Sequence, residues 1–504
     1  MFVQRIKSSE LLGQLNSEAY APHHIKFAKI IKKSGLDVRQ LGDIVSKKIN
    51  NSIRNISGQL DSNEGKIPMF RPADISNGTL SVETAPLLTE DFESKHEKAR
   101  VFSGDLVLGI AGSVGVVGRV PQSVKHGNIN GSSARITTNS DLKSAYLLAY
   151  IQSKYGQSSL LRYCVGSVQK HLNLEDLPSV TIAYPKNNVI IYIGDKVRQA
   201  ERLRECAKAL EQNFNNELIQ IYNVAFNGQV DERKYSHVKK DDLSIDLNPG
   251  LYNAERLRVR KSISEVSSKK IGDIAIIKAP SSNEYTSSTK FLGLDGISSN
   301  NSSLAITTIE KTNVKGTLRY LLSGPIIPKL NPYLNKAAYI PKELEGTVGS
   351  PELLCVVPNN KANGWFIYGA LKQETTLKQL NPISTGSTHL RVTPDNIRDI
   401  VIPWPEDRVK KGKYLEKAFR ARQLSSILTT AAKLFVESLI EGKITENQLI
   451  NAQQSLEKGE TALDQSILER LKTDGMDGEG EPLFTDLEQV YELLKQAEDD
   501  NHLT

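Results

Sequence analysis

Cysteine is scarce: of 504 residues only Cys164, Cys206 and Cys355 are cysteines. They are odd in number, far apart and at no metal-ligand spacing. That argues against a disulfide-stapled secreted scaffold or a thiolate zinc site and for a reducing cytoplasm. Long apolar runs are missing too. Nothing approaches the ~18–20 residues of a membrane span, and Met1 to Lys7 has no apolar signal segment. No membrane partner is expected. No Gly-Lys-Ser or Gly-Lys-Thr occurs, which excludes a P-loop, and the eight histidines form no metal-binding pair. Aromatics at 6% and ordinary glycine and proline counts fit a globular chain, long enough for two or three cores.

Charge is present but polarised. The formal net charge is +6. From Glu457 onward there are 14 acidic and 4 basic side chains, a net of −10, so the preceding residues carry +16. A body that basic suits a polyanion. A tail that acidic reads as a solvated or partner-binding extension.

An internal repeat organises the rest. Gly166 to Pro185 reads "GSVQKHLNLEDLPSVTIAYP", and 220 positions on Gly386 to Pro405 reads "GSTHLRVTPDNIRDIVIPWP". Ser103-Gly104-Asp105-Leu106-Val107 pairs with Ser323-Gly324-Pro325-Ile326-Ile327 at the same offset, and Gly131-Ser132 with Gly349-Ser350 at 218. Upstream, Leu41 to Ile44 matches Ile271 to Ile274, and Leu15 to Tyr20 resembles Leu247 to Tyr252. Two diverged copies of one domain follow, expected to be related by a pseudo-two-fold axis.

Each copy reads as mixed α+β. Short β-rich runs (Leu106 to Ile110, Val114 to Val120, Ser179 to Ala183, Ile400 to Ile402) are broken by Gly, Asn and Ser turns. Helical stretches are expected over Tyr146 to Leu161 and near Phe366 to Leu377. After each copy, apolar residues recur at spacings of three and four, from Val189 to Ala225 and from Val409 to Glu441. Such stripes predict two long helices that pack on each other.

Several near misses to catalytic patterns remain. Asn331-Pro332-Tyr333 resembles an amino-methyltransferase motif but lacks its second proline, and no Gly-rich cofactor loop precedes it. Gly109, Gly112, Gly115 and Gly118 are three apart, yet lie between β-rich segments, where tight turns explain them. Asp74 with Glu93 and Lys95 superficially matches a nuclease site but falls in an almost wholly charged stretch. Asp474 to Glu481 misses the EF-hand register. No catalytic, cofactor or metal residue is expected in this chain.

The segments "IPMFRPADISNG" (Ile67 to Gly78), "SGDLVLGIAGSVGVVGRV" (Ser103 to Val120), "YLLAYIQSKYGQ" (Tyr146 to Gln157), "GPIIPKLNPYLNKAAYIP" (Gly324 to Pro341) and the two Gly-Ser endings resemble the DNA specificity subunits of type I restriction-modification systems. The resemblance spans about Leu11 to Gly442. Pro325 in place of Asp105 and the unmatched tail depart from it. It implies two tandem mixed α/β target-recognition domains, separated by two long antiparallel helices. Their boundaries would be 1–186 and 231–406 for the reading domains, 187–230 and 407–442 for the helices, and 443–504 for the acidic helical extension.

By the same resemblance, the chain would be a non-catalytic subunit reading a bipartite double-stranded DNA site. It would recruit two adenine methyltransferase subunits, which hold S-adenosylmethionine, with a restriction or translocase subunit as a further partner. The alternatives are a self-contained DNA-modifying enzyme or a protein-interaction scaffold of a defence complex. Base and phosphate readers are mainly Arg, Lys, Asn, Gln, Ser and Thr on loops. The candidates are Arg119, Asn130, Ser132, Ser167, Gln169, Lys170 and His171 in the first copy. In the second they are Lys329, Asn331, Tyr333, Lys336, Ser387, Thr388, His389 and Arg391.

Overall fold

The computed structural model describes residues 11–12, 17–51, 65–166, 169–222 and 248–501. Ser167, the last three residues of the expected first long helix, and Leu15, Asn16 and Leu247 of the upstream repeat lie outside them. The chain divides into two compact units, Met1–Glu205 with Leu424–Thr504, and Cys206–Gln423.

Unit 1 is built around two sheets. The buried run Leu106–Gly109 has apolar side chains on both faces and takes a central position, as a strand covered on both sides must. It pairs antiparallel with Ser133–Ile136 and with Val117–Arg119. A second sheet orders Leu87–Leu88, Ile67–Phe70, His126–Ile129 and Arg100–Phe102. Met69, Phe70, Val101, Val107 and Ile129 form the core they share. A two-helix layer follows, Asp141–Gln152 and Lys154–Leu161, hinged at Ser153, whose hydroxyl caps the second helix at the Gly156 N–H. Asp37–Gln40 pairs with Thr181–Tyr184, and the Leu41 N–H donates to the Val180 carbonyl at 2.8 Å.

Unit 2 repeats this plan. Ser268–Lys270 pairs with Val401–Pro403, and the Ile271 N–H donates to the Ile400 carbonyl at 2.9 Å. The buried strand Gly324–Pro328 lies against Leu353–Pro358, and the helix pair is Gly364–Leu371 and Glu374–Leu380. The structure corrects two offsets, the 218 read for Gly131-Ser132 with Gly349-Ser350 and the 220 read for Ser103 to Val107 with Ser323 to Ile327. The Ser133 N–H closes a turn onto the Asn130 carbonyl and the Leu353 N–H onto Ser350, 220 on in both cases. Their ladder partners are Gly109 and Pro328, only 219 apart. The central strand of the second copy is therefore shifted by one residue, a slip that alternating sequence alone does not register.

The long helices are Asn187–Tyr222 and Arg408–Ile440; the first begins two residues before its expected start, its expected end lies outside the described residues, and the second lies within one residue of both expected ends. Their stripes are buried, from Val189 through Leu218 and from Leu415 through Leu439. In unit 1 the Tyr192 ring meets Phe435 at 5.4 Å and Arg204 donates to the Thr429 hydroxyl at 2.7 Å. In unit 2 Arg422 pairs with Glu211 and Lys411 with Glu217. Within each unit the two segments run antiparallel.

The acidic tail is not the solvated extension its composition suggests. Helices Glu446–Glu457 and Ala462–Glu469 and the short hairpin Leu471–Lys472 with Gly475–Met476 pack into unit 1, burying Leu449, Leu468, Leu471 and Met476. Asp464 is fully buried. It accepts from Lys196 Nζ at 2.7 and 2.8 Å and from the Tyr192 hydroxyl at 2.6 Å. Val490 and Leu494 of the last helix, Leu487–Asn501, are buried as well, and Tyr491 donates to Asp464. Acidic content misled because the charges line the outer faces of elements whose apolar faces were less conspicuous. Among the described residues no helix is long and apolar enough to cross a membrane.

Candidate nucleic-acid interface

The repeated Gly-Ser loop is held the same way in both units. In unit 1 the Leu172 N–H donates to the Ile110 carbonyl at 2.9 Å, and His171 bridges to Ala111. In unit 2 the Val392 N–H donates to the Lys329 carbonyl at 3.0 Å, and Arg391 bridges to Leu330. The glycine that opens each loop has positive φ, +96° at Gly166 and +118° at Gly386. A side chain there would strike the carbonyl of Gln169 or His389. The neighbouring strand end is pinned on its other side too. The Ile110 N–H donates to the Ser132 carbonyl, and the Lys329 N–H to Glu352, both at 2.8 Å.

This brings most candidates together. In unit 1, the Ser132 carbonyl accepts from the Ile110 and Ala111 N–H groups, and His171, which follows Gln169 and Lys170 in the chain, bridges to Ala111. Gln169, Lys170 and His171 are exposed, and Lys170 pairs with Glu18. Asn130 Oδ1 accepts from the Ser132 N–H and, at 2.9 Å, from the Ser133 hydroxyl, so it also shapes its own turn. In unit 2, Ser387, Thr388 and His389 are exposed beside Arg391, whose guanidinium pairs with Glu352 at 3.0 Å. Lys329 is 3.9 Å from the same carboxylate. The Asn331 N–H donates to the Leu390 carbonyl at 2.7 Å, which joins the Lys329–Lys336 segment to this loop.

Two candidates are corrected. Arg119 is 0% exposed, with its guanidinium bound to Glu201 and Asp141. It ties the strand Val117–Arg119 to the first long helix and has no surface to offer a phosphate or base. Lys336 is half-buried, and its ammonium donates to the Leu294 carbonyl at 2.6 Å. It braces a loop.

One feature went unread in the sequence. After each central strand the chain makes a turn bounded by two residues of positive φ: Gly112 (+72°) and Gly115 (+86°) in unit 1, Asn331 (+48°) and Asn335 (+52°) in unit 2. The carbonyl of the closing residue accepts a side-chain hydrogen bond from the helix pair in both units. Gln157 Nε2 donates to Gly115 at 2.9 Å, and Lys372 Nζ to Asn335 at 3.1 Å. Lys372 also donates to the Ser298 and Ala337 carbonyls, at 2.5 and 3.2 Å. Burial pushes its ammonium down to about 8. Glycine and asparagine at matched places were the available signal, since both tolerate this conformation.

The residues of the catalytic near misses are engaged locally. Asp74 is chelated by Arg71 at 2.9 and 3.0 Å and accepts from the Thr84 hydroxyl. Glu93 pairs with Arg100 at 2.7 Å, which holds its carboxyl below the usual range, and Lys95 pairs with Asp91. Among the described residues no three His, Cys, Asp or Glu side chains are grouped to hold a metal ion.

Residues 33–220 match the family model described as the type I restriction modification DNA specificity domain. No curated relative matches the chain. Among solved structures, the type I restriction-modification S subunit from M. genitalium is 14% identical, with 83% of this chain and 96% of that one covered and a TM-score of 0.35. The HsdS subunit from Thermoanaerobacter tengcongensis is 14% identical, with 81% and 97% covered and a TM-score of 0.27. The matched segment holds the first Gly-Ser loop, the glycine turn and the first long helix. Over residues 33–220 the chain is thus similar to the type I restriction-modification DNA specificity domain.

Proposed function

We propose that the chain reads a bipartite double-stranded DNA site, one half with each unit, and brings adenine methyltransferase subunits to it. The observation that carries this reading is the duplicated loop end: the same hydrogen bond to the central strand holds Leu172 in the family-matched copy and Val392 in the other. Exposed polar side chains on a rigid frame are what base readout requires. The basic remainder of the chain supplies the phosphate attraction. The chain itself is non-catalytic in this reading. Two methyltransferase partners hold the S-adenosylmethionine and dock through the long helices, and a restriction or translocase subunit completes the assembly. The boundaries 1–186 and 231–406 for the reading domains belong to the same proposal. It takes place in the cytoplasm.

The test is a methylome. Replacing Gln169 and His171 by alanine in the assembled complex should weaken one half-site and leave the other intact, at ~1–3 kcal/mol per lost base contact. Equal weakening of both halves, or none, counts against the assignment. Methyl transfer or strand cleavage by the purified chain alone would favour a self-contained enzyme. Duplex binding that does not weaken with salt would favour a protein scaffold.

A further inference from the structure

The turn after each central strand keeps its backbone frame in the two units but exchanges its apex. Between the two positive-φ residues, unit 1 has only Ser113 and Val114, whereas unit 2 has Pro332, Tyr333 and Leu334. Pro332 is buried, while Tyr333 is 51% and Leu334 40% exposed. Tyr333 and Leu334 are adjacent and both exposed, and the hydrogen bonds that fix the turn's backbone do not use their side chains. Pro332, the Asn331 N–H to Leu390 bond and the three Lys372 bonds already fix the backbone. Asparagine tolerates the left-handed conformation at Asn331 and Asn335, and the bracing holds both residues in it.

We propose that this apex is a specificity-determining contact: Tyr333 and Leu334 pack apolar surface against bases of the half-site read by unit 2. Ser113 and Val114 give unit 1 a smaller and different contact. The inference rests on the proposed function and deepens it. Two surfaces meeting the same methyltransferase should share their chemistry, whereas two surfaces meeting different half-sites should share a frame and differ in side chains. The second pattern is the one observed. The apex also adjoins the exposed Ser387, Thr388 and His389 loop through the Asn331–Leu390 bond. In a duplex the base faces are stacked on each other, but an aromatic edge or an aliphatic chain can cover a thymine methyl in the major groove.

The experiment replaces the apex by its unit 1 counterpart, Y333S with L334V, in the complete complex, beside Y333A and Y333F, and sequences the methylome. Both side chains are exposed, so the variants should melt as the wild type does. We expect discrimination at one or two positions of a single half-site to fall roughly 10-fold. The other half-site should keep its sequence, and Y333F should behave as wild type. Unchanged specificity overturns the inference. So does a loss in Y333F equal to that in Y333A, which would make the hydroxyl the contact. Equal loss at both half-sites with failure to co-purify the methyltransferase overturns it in favour of a partner-docking turn. Failure of the underlying reading is separately visible, because the wild-type chain would then show no salt-dependent duplex binding and its deletion would leave the methylome unchanged.

Discussion

Asp464 is a carboxylate at zero exposure with an ammonium and two phenols gathered on it. Burial alone would raise its pKa, but Lys196, Tyr192 and Tyr491 hold it below the usual range. Asp464→Ala would strand Lys196, itself 2% exposed, as an uncompensated buried charge, at a cost of about 3–5 kcal/mol. Replacing both, as Asp464→Leu with Lys196→Met, should cost far less, because the desolvation penalty disappears with the pair. Urea titration of the two singles and the double gives the coupling, and additive losses would show that the two charges do not depend on each other. Arg119 follows the same logic with Asp141 and Glu201. In the sequence it is an arginine near the end of a β-rich run, next to a polar loop, and reads as a phosphate contact. Its two acids lie 22 and 82 positions away, so nothing local distinguishes a buried cation from an exposed one.

At the scale of elements, what could be read was what repeats or has a period. The second long helix was legible to within one residue, and the start of the first to within two, because 3.6-residue periodicity over some thirty positions leaves little freedom. The Gly-Ser loop was read because it occurs twice. The turn bounded by Gly112 and Gly115 was missed as the partner of Asn331 to Asn335. The two share dihedral angles and not letters, and one is a residue longer. Contacts between elements were equally hidden. The helix Pro22–Lys33 docks on Lys154–Leu161 through His24, whose Nδ1 lies 2.7 Å from the Ser158 hydroxyl. Burial, with His23 and Arg162 nearby, pushes His24 down to about 4 from 6.5. The unfolded chain therefore binds the proton more readily between those values, and stability from this contact is lost as the pH falls from 6.5 towards 4. His24→Gln should flatten that part of the profile. The urea midpoint followed from pH 7 to 4 checks it, and parallel curves for the two proteins would remove His24 from the account.

At the scale of the whole molecule, the two ends of the chain belong to one unit, Met1–Glu205 with Leu424–Thr504. Composition had separated them by charge, −10 beyond residue 456 against +16 before it. Packing joins them through Asp464 on Lys196 and through the Lys186 N–H, which donates to Glu446 at 2.6 Å. A chain ending at Leu456 should respond in two opposed ways. Removing ten net negative charges should raise affinity for non-specific duplex, with a steeper salt dependence, since fewer acids repel phosphates. Removing Asp464 with Leu468, Leu471 and Met476 should destabilise unit 1 by uncovering Tyr192 and Lys196 beside the first long helix. Unit 2, Cys206–Gln423, loses none of its own contacts. Thermal unfolding should therefore begin earlier in the truncated chain, with early proteolytic cuts confined to residues before 206 and after 423. A truncated chain that melts like the full one would return the tail to the status of a detachable appendage.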